Sequence, residues 1–405
     1  MEENNNIPDG WISEDFGNLI VEKRKSNLKV SDATNFGSFP FFTSGEAILL
    51  HNEKQIDGEH IFLATGGVAN VKYFNGEVAY STDTYAITSN EKIDTKFLFY
   101  YSQNIINYIN LNYFQGSGLK HLQKKDFKKH KVDFPKTAKE QSKIAEILSK
   151  VDKAISETEV IIAKYNRIKI GLMQDLLTKG IDEKGNIRSE KTHEFKDSPL
   201  GRIPKEWSLK NLGELITAID PQPDHRTPPP VLDGIPYLGI SDFLGNGEID
   251  IVGCRKVGFN VLAKQSNSFR VDDGDIIFGK IGTIGKPKKL PNFNKSPFTL
   301  SANVILIKPI ECADFVYWSL ISDYVNTQVS LAIHSTSQPA FGMEKIRAIN
   351  IITPHPAERI LISEKLKAFE NIFFEEEKKL SKLKSNKTGW MQDFLIGKKR
   401  VTHLI

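Results

Sequence analysis

An α+β fold is predicted for this 405-residue chain. The expectation is two similar globular domains separated by a long antiparallel two-helix coiled coil, arranged as an internal pseudo-two-fold repeat. Three observations predict it. Residues 171–180 read GLMQDLLTKG and residues 389–398 read GWMQDFLIGK, 218 positions apart, with five of ten residues identical. IPDGWISEDFGNLI (7–20) matches IPKEWSLKNLGELI (203–216) at an offset of 196, and DGEHIF (57–62) matches DGDIIF (273–278) at an offset of 216. The matches are collinear, as a duplication requires. The growth of the offset from 196 to 216 places some 20 extra residues inside the second half, before its DGDIIF stretch.

Each half then follows one order of elements. A tryptophan-containing start leads to short strands, among them IFLA (61–64) and DIIFG (275–279), each followed by a glycine turn. Further strand-like runs lie at Thr84–Thr88 and Asn303–Lys308. KFLFYYSQNIINYI (96–109) and DFVYWSLISDYV (314–325) carry aromatic residues at helical spacing, which marks them as core rather than as a stacking platform for bases. A polar loop, a short β run ending in proline (KVDFP 131–135; INIITP 349–354) and a long helix complete each half.

The long helices carry a 4-3 apolar seam. In the first it runs Ile144, Leu148, Val151, Ile155, Ile162, Tyr165, Leu172 and Leu176. In the second it runs Ile362, Leu366, Phe369, Phe373, Leu380, Leu383, Trp390 and Phe394, every position displaced by 218. Thr158 and Lys169 interrupt the first seam, Glu376 and Lys387 the second, and polar seam residues fix register at a cost in stability. A helix over residues 138–178 extends roughly 60 Å at 1.5 Å per residue, so its seam needs a partner. The other copy is the natural one. A parallel pairing would oblige the linker to travel back almost the whole helix length, so the antiparallel pairing is expected, giving a dumbbell.

Composition sets the class. Apolar residues are 40% and charged residues 26%, ordinary for a globular protein. The opening MEENNNIPDG has neither the basic start nor the apolar core of a secretory signal, and no run is long enough to span a membrane. The two cysteines, Cys254 and Cys312, support neither a disulfide framework nor a cysteine zinc site. A reduced, cytoplasmic protein is expected. Net charge is +4, a mild bias toward a polyanionic partner.

The charge is patterned. LKHLQKKDFKKHK (119–131) holds six lysines and two histidines against one aspartate, and GKIGTIGKPKK (279–289) combines four lysines with glycines after a strand. Lysines place themselves on phosphates, and glycines let backbone approach a groove closely. Two heads a helix-length apart could read two half-sites on one face of a duplex, whose turn is roughly 34 Å.

In order along the chain come P-x-x-W, D-G-x-x-I-F, GSG (116–118), F-P-x-x-x-x-E-Q-x-x-I-A-x-I-L (134–148) and GLMQDLLT. This order resembles the specificity (S) subunits of type I restriction–modification systems, over the entire chain. The second copy departs by reading Glu358-Arg359 where the first has Glu140-Gln141. The resemblance implies two target-recognition domains, at 1–136 and 206–355. It implies spacer helices at 137–179 and 356–398, with a linker at 180–205. It also implies a non-catalytic subunit that reads a split site on double-stranded DNA and docks two methyltransferase (M) subunits and further motor-nuclease (R) subunits. S-adenosylmethionine, ATP and Mg are then expected in those partners, and no cofactor, metal or membrane contact in this chain.

Catalytic signatures are correspondingly weak. GKIGTIGK (279–286) has its first glycine one residue too far out for a phosphate-binding loop, and Pro287 stands where Ser or Thr is needed. DPQP (220–223) and TPPPV (227–231) lack the aromatic of an amino-methyltransferase signature, and the nine histidines form no H-E-x-x-H pattern. Candidate DNA contacts are Ser117, Lys120, His121, Lys124 and Lys125 in the first domain, and Lys280, Lys286, Lys288 and Lys289 in the second. Ser117 maps onto Ser335 through the repeat, which adds Ser335, Ser337 and Gln338 of HSTSQP (334–339). Serine and glutamine can read base edges, whereas lysine mainly positions. The repeated Met173-Gln174-Asp175 and Met391-Gln392-Asp393 lie partly off the seam and are expected to dock partner subunits. Two other classes remain open: a fused or relic restriction–methylation enzyme, and a coiled-coil adaptor that binds only proteins.

Overall fold

The structure, a computed structural model, describes residues 7–222, 226–244, 249–290, 297–333 and 340–405. It divides into two compact units, one formed by residues 1–160 with 378–405 and the other by residues 161–377.

The first unit contains the first domain. Trp11–Asp15 pairs antiparallel with Lys131–Pro135, which brings the entry and exit of the domain together. A four-stranded antiparallel sheet has the order Ile20–Glu22, Thr84–Ser89, Glu59–Ala64, Val71–Asn75. A three-stranded sheet follows with the order Leu49–His51, Phe39–Phe42, Ala79–Tyr80, its last pair parallel. The run over 96–109 is two helices, Thr95–Asn104 and Ile106–Asn112, broken at Ile105. Asp94 caps the first of them by accepting from the Phe97 amide at 2.9 Å. The aromatics Phe97, Tyr100 and Tyr101 are buried with Phe16, Ile61, Ile87, Phe127 and Phe134.

The second unit repeats this topology strand for strand. Ser208–Asn211 pairs with Asn350–Thr353. The four-stranded sheet runs Ile216–Ile219, Val304–Pro309, Ile276–Gly279, Gly285–Lys289, and the three-stranded one Lys256–Val257, Ile235–Leu238, Thr299–Leu300. Trp207, Phe278, Ile305, Phe315 and Trp318 form its core. The extra residues of this half include a helix, Phe259–Ser268, and a hairpin of Phe195–Ser198 with Gly201–Pro204 precedes the domain.

The long helices are Ala138–Thr178 and Pro356–Leu395, and their pairing is antiparallel within each unit. In the first unit Asp152 meets Lys387 at 2.7 Å and Glu159 meets Lys384 at 2.7 Å, so one index rises as the other falls. In the second, Lys169 meets Glu370 at 3.4 Å and lies 5.8 Å from the centre of the Phe373 ring, while Arg188, beyond the end of the first long helix, meets Glu358 at the start of the second. The two lysines that interrupt the seams thereby have equivalent roles. Lys387 Nζ also donates to Gln103 Oε1 at 3.1 Å and lies 5.9 Å from the centre of the Tyr100 ring. Lys169 Nζ lies 5.6 Å from the Trp318 ring, and Trp318 is Tyr100 shifted by 218. A cation held between a carboxylate of the facing helix and an aromatic of the domain fixes register in a way an apolar seam residue does not.

Among the seam positions, Ile144, Leu148, Val151, Leu176, Ile362, Leu366 and Phe373 are buried. Ile155, Ile162, Tyr165, Leu172, Phe369, Leu380, Leu383 and Phe394 are half-buried, since one partner helix covers one side only. Trp390 corrects the seam expectation: it is 37% exposed, while Met391 and Leu395 enter the first domain's core. A helix without supercoil drifts by about 20° per heptad, so four heptads beyond Ile362 the inward face has moved by roughly 80° and the next residue takes the inner place. Leu177 is likewise buried beside Leu176 in the second domain's core.

Each long helix begins with a buried carboxylate held by an arginine that follows the end of the other helix. Glu140, whose side chain is 1% exposed, accepts from Arg400 Nε and Nη2 at 2.6 Å each. Glu358, its equivalent at the 218 offset, accepts from both Arg188 Nη atoms, from the Trp207 indole at 3.0 Å and from the Ile181 amide at 3.0 Å. A first-turn carboxylate also suits the positive end of the helix. Trp11, the counterpart of Trp207, has no acceptor for its indole N–H among the described residues.

Candidate nucleic-acid interface

In the first domain two loops are joined into one surface. Phe114–Gln115 pairs with His121–Leu122, and the turn between them is exposed from Gln115 to His121. Gly116 allows the tight turn: its φ is +148°, and a Cβ there would lie 2.7 Å from the Leu119 carbonyl oxygen. The second loop, residues 65–70, joins the strands Glu59–Ala64 and Val71–Asn75. The Gly67 amide donates to Lys120 O at 2.9 Å and the Leu122 amide to Thr65 O at 3.0 Å, so the loops are joined by backbone bonds. Val68 is 72% and Leu119 66% exposed on the joint surface, with Ser117, Lys120, His121 and Lys125 beside them.

Lys124 departs from this group. It is half-buried with Nζ 4.2 Å from the Tyr85 ring centre, and burial lowers its pKa. Its charge is committed to the fold rather than held out to a phosphate.

The second domain has the same junction. Its hairpin loop follows Ile276–Gly279, and the Phe341 amide donates to Lys280 O at 2.9 Å beside an Ile281–Ala340 bridge. Gly279 is obligatory there, because a Cβ would lie 1.7 Å from the Thr283 carbonyl oxygen. Ser335, Ser337 and Gln338 lie outside the described residues. The four lysines divide. Lys286, at φ +49°, is exposed and Lys288 half-exposed. Lys280 is buried with Nζ 2.8 Å from Asp220 Oδ2, and Lys289 lies 2.5 Å from Asp314 Oδ1 and 4.5 Å from the Tyr317 ring centre. The expectation of surface phosphate contacts is corrected for Lys280 and Lys289. The side chain of each turns to an acidic partner of the same domain, Asp220 for Lys280 and Asp314 for Lys289.

The repeated Met-Gln-Asp is also resolved into separate roles. Met391 is 8% exposed in the first domain's core and so is not offered to a partner as expected, whereas Met173 is half-buried, packed against the second domain's core and lining a groove with Gln174. Asp175 binds Lys179 at 2.7 Å and Asp393 binds Lys399 at 2.6 Å, closing each helix end. Gln174 and Gln392 are exposed.

The loop at 65–70 was not among the candidates, although the DGEHIF–DGDIIF register places Gly66 on Gly282 and so pointed to it. Among the described residues no group of three or more His, Cys, Asp or Glu could hold a metal ion, and no helix is long and apolar enough to cross a membrane.

A duplicated fold with paired exposed loops and basic residues can be compared with known proteins. The type I restriction modification DNA specificity domain matches twice, over residues 13–165 and 204–385. The chain belongs to this family. Among specificity-domain proteins it is 24% identical to the MjaVIII type I restriction enzyme specificity subunit of Methanocaldococcus jannaschii, over 98% of this chain and 95% of that one. It is 29% identical to the EcoDI specificity subunit of Escherichia coli over 32% of this chain and 28% of that one. Its fold is shared with the crystal structure of a type I restriction–modification S subunit from M. genitalium, with a TM-score of 0.66, 15% identity, and coverage of 97% and 98% of the two chains. The two family matches fall on the two halves found from the internal repeat.

Proposed function

We propose that this chain is the DNA-recognition subunit of a type I restriction–modification complex and that its two domains read the two parts of a split DNA target. The carrying observation is the repeated junction of two loops beside sheets of matching strand order, at 65–70 with 116–121 and at 280–285 with 340–341. Ser117, Lys120, His121 and Lys125, with Lys286 and Lys288, present donors and positive charge on those loops. Ser335, Ser337 and Gln338 belong to the same proposal by sequence. The chain itself carries out no chemistry in this reading. Two M subunits supply the S-adenosylmethionine site and R subunits the ATP and Mg sites, all in the cytoplasm, and Gln174 and Gln392 are offered to those partners.

The test is binding of the chain, with and without its M subunits, to duplexes carrying a two-part site, measured across a salt series. Sequence-selective binding that needs both parts is expected. A complex that binds every duplex equally refutes recognition, and methyl transfer from S-adenosylmethionine by the chain alone refutes the non-catalytic assignment.

A further inference from the structure

The second domain has an open polar cleft of about 360 Å³ beside its loop junction, lined by Thr227, Ser241, Asp242, Arg255, Gly282 and Asn303 among others. Thr227, Ser241, Arg255 and Asn303 are exposed at its edge and Asp242 is half-buried. Two of the polar side chains are held from behind. Asp242 Oδ2 accepts the Gly239 amide at 2.7 Å, and Arg255 Nη1 donates to Pro228 O at 3.1 Å, so both groups are oriented before any ligand arrives. Gly282, with φ +75°, has nothing within 4 Å of where a Cβ would stand, so the backbone itself is open there.

The equivalent place in the first domain is held differently. The segment after its parallel strand pair, Thr43–Gly45, is laced to the hairpin loop. The Thr65 amide donates to Ser44 Oγ at 3.3 Å, Asn70 Nδ2 to Ser44 O at 2.5 Å, and Lys72 Nζ to Thr43 O at 2.8 Å. In the second domain the matching segment follows Ile235–Leu238, and a bulge between Ile277 and Gly279 shifts the register of the hairpin, so that Lys288 stands opposite Ile277. One fold thus carries a laced junction in the first domain and an open cleft beside the junction of the second.

The chemistry of the open cleft selects a ligand. A cleft built to hold phosphate would be cationic throughout, and the Asp242 carboxylate opposes that use. A guanidinium, a carboxylate, a carboxamide and hydroxyls together match the mixed donors and acceptors of base edges, where arginine suits guanine O6 and N7 and a carboxylate accepts from cytosine N4. We infer that this cleft is the base-reading element of the second domain, with Arg255 and Asp242 reading a guanine–cytosine pair of its half-site and Asn303 a neighbouring base. The inference rests on the proposed reading of the chain as a DNA-recognition subunit.

The test uses the full chain assembled with its M subunits and the set of sequences methylated by parent, Arg255→Ala, Arg255→Lys, Asp242→Asn and Asn303→Ala complexes. Arg255→Ala is expected to relax one guanine–cytosine position of one half-site by roughly 5- to 150-fold, leaving the other half-site and the spacing intact. Arg255→Lys keeps the charge without the fork and should not restore selectivity. Asp242→Asn, which retains an acceptor for Gly239, should relax the same pair. Uniform loss on all sequences with a shallower salt dependence would make Arg255 a phosphate contact and overturn the inference, as would unchanged selectivity in all four variants. A parent complex without any two-part preference would instead refute the underlying reading, so the two failures are separable.

Discussion

Replacing Glu358 with alanine tests the clasp at the start of the second long helix. The side chains of Glu358 and Arg188 are each 11% exposed, so the pair is screened little by water. Removing one partner of a buried pair costs about 3–5 kcal/mol, because the remaining charge is left uncompensated. The Trp207 indole and the Ile181 amide lose their acceptor in the same step, each worth about 1–3 kcal/mol when stranded. These losses share one cavity and do not add, so about 4 kcal/mol is expected. That is a large part of the roughly 5–15 kcal/mol stability of a domain. Glu140→Ala should cost less, about 2 kcal/mol, because Arg400 is 30% exposed and can recover water, and no indole depends on Glu140. The assay is hydrogen exchange along a urea series, read separately on Ile276–Gly279 and Val304–Pro309 for the second domain and on Glu59–Ala64 and Thr84–Ser89 for the first. Glu358→Ala should lower protection in the second domain's strands by about 4 kcal/mol. A fall below about 1 kcal/mol, or one no larger than that of Glu140→Ala in its own domain, would refute the reasoning.

Three further outcomes are expected. Lys120→Ala and Lys125→Ala should each reduce the salt slope of DNA binding by about 0.9 without altering the preferred sequence, measured by binding at several salt concentrations. Lys289→Ala should leave that slope unchanged and lower second-domain stability by about 1–2 kcal/mol, because it removes a half-exposed ion pair with Asp314 and a contact with Tyr317. His130, held between the Tyr101 and Tyr113 hydroxyls at 3.1 Å each, has its pKa pushed below 6.5 mainly by burial, against the raising effect of Asp133. Its neutral form is favoured in the fold, so its contribution is complete above pH 6.5 and is lost as pH falls through that value toward the depressed folded pKa. Thermal unfolding of His130→Asn between pH 7 and 5 should show a flatter first-domain profile, and an unchanged slope would refute this assignment.

The duplication, the strand runs and both long helices were legible because each leaves a periodic or repeated trace: Trp11 and Trp207, DGEHIF and DGDIIF, and the seams displaced by 218. The site was legible only as far as composition carries it. A run of lysines does not say which ones face water, and Lys124, Lys280 and Lys289 turn inward because aromatic rings and carboxylates distant in sequence await them. Trp390 and Met391 exchange places for a geometric reason, since a strict heptad count ignores the drift of a straight helix. The cleft around Ser241, Arg255 and Asn303 left no trace, because its lining comes from five separate stretches and includes inserted residues without a counterpart in the first half.

The Glu140–Arg400 clasp, with Met391, Leu395 and Val401 in the same core, sets an order of events during synthesis. The first domain emerges first yet must wait for contributions encoded about 230 codons after Val160, while residues 161–377 are already complete. At roughly 5–20 residues per second the delay is on the order of 12–50 s. A frameshift or early stop beyond residue 377 would therefore damage the domain made at the beginning of translation and spare the one made later.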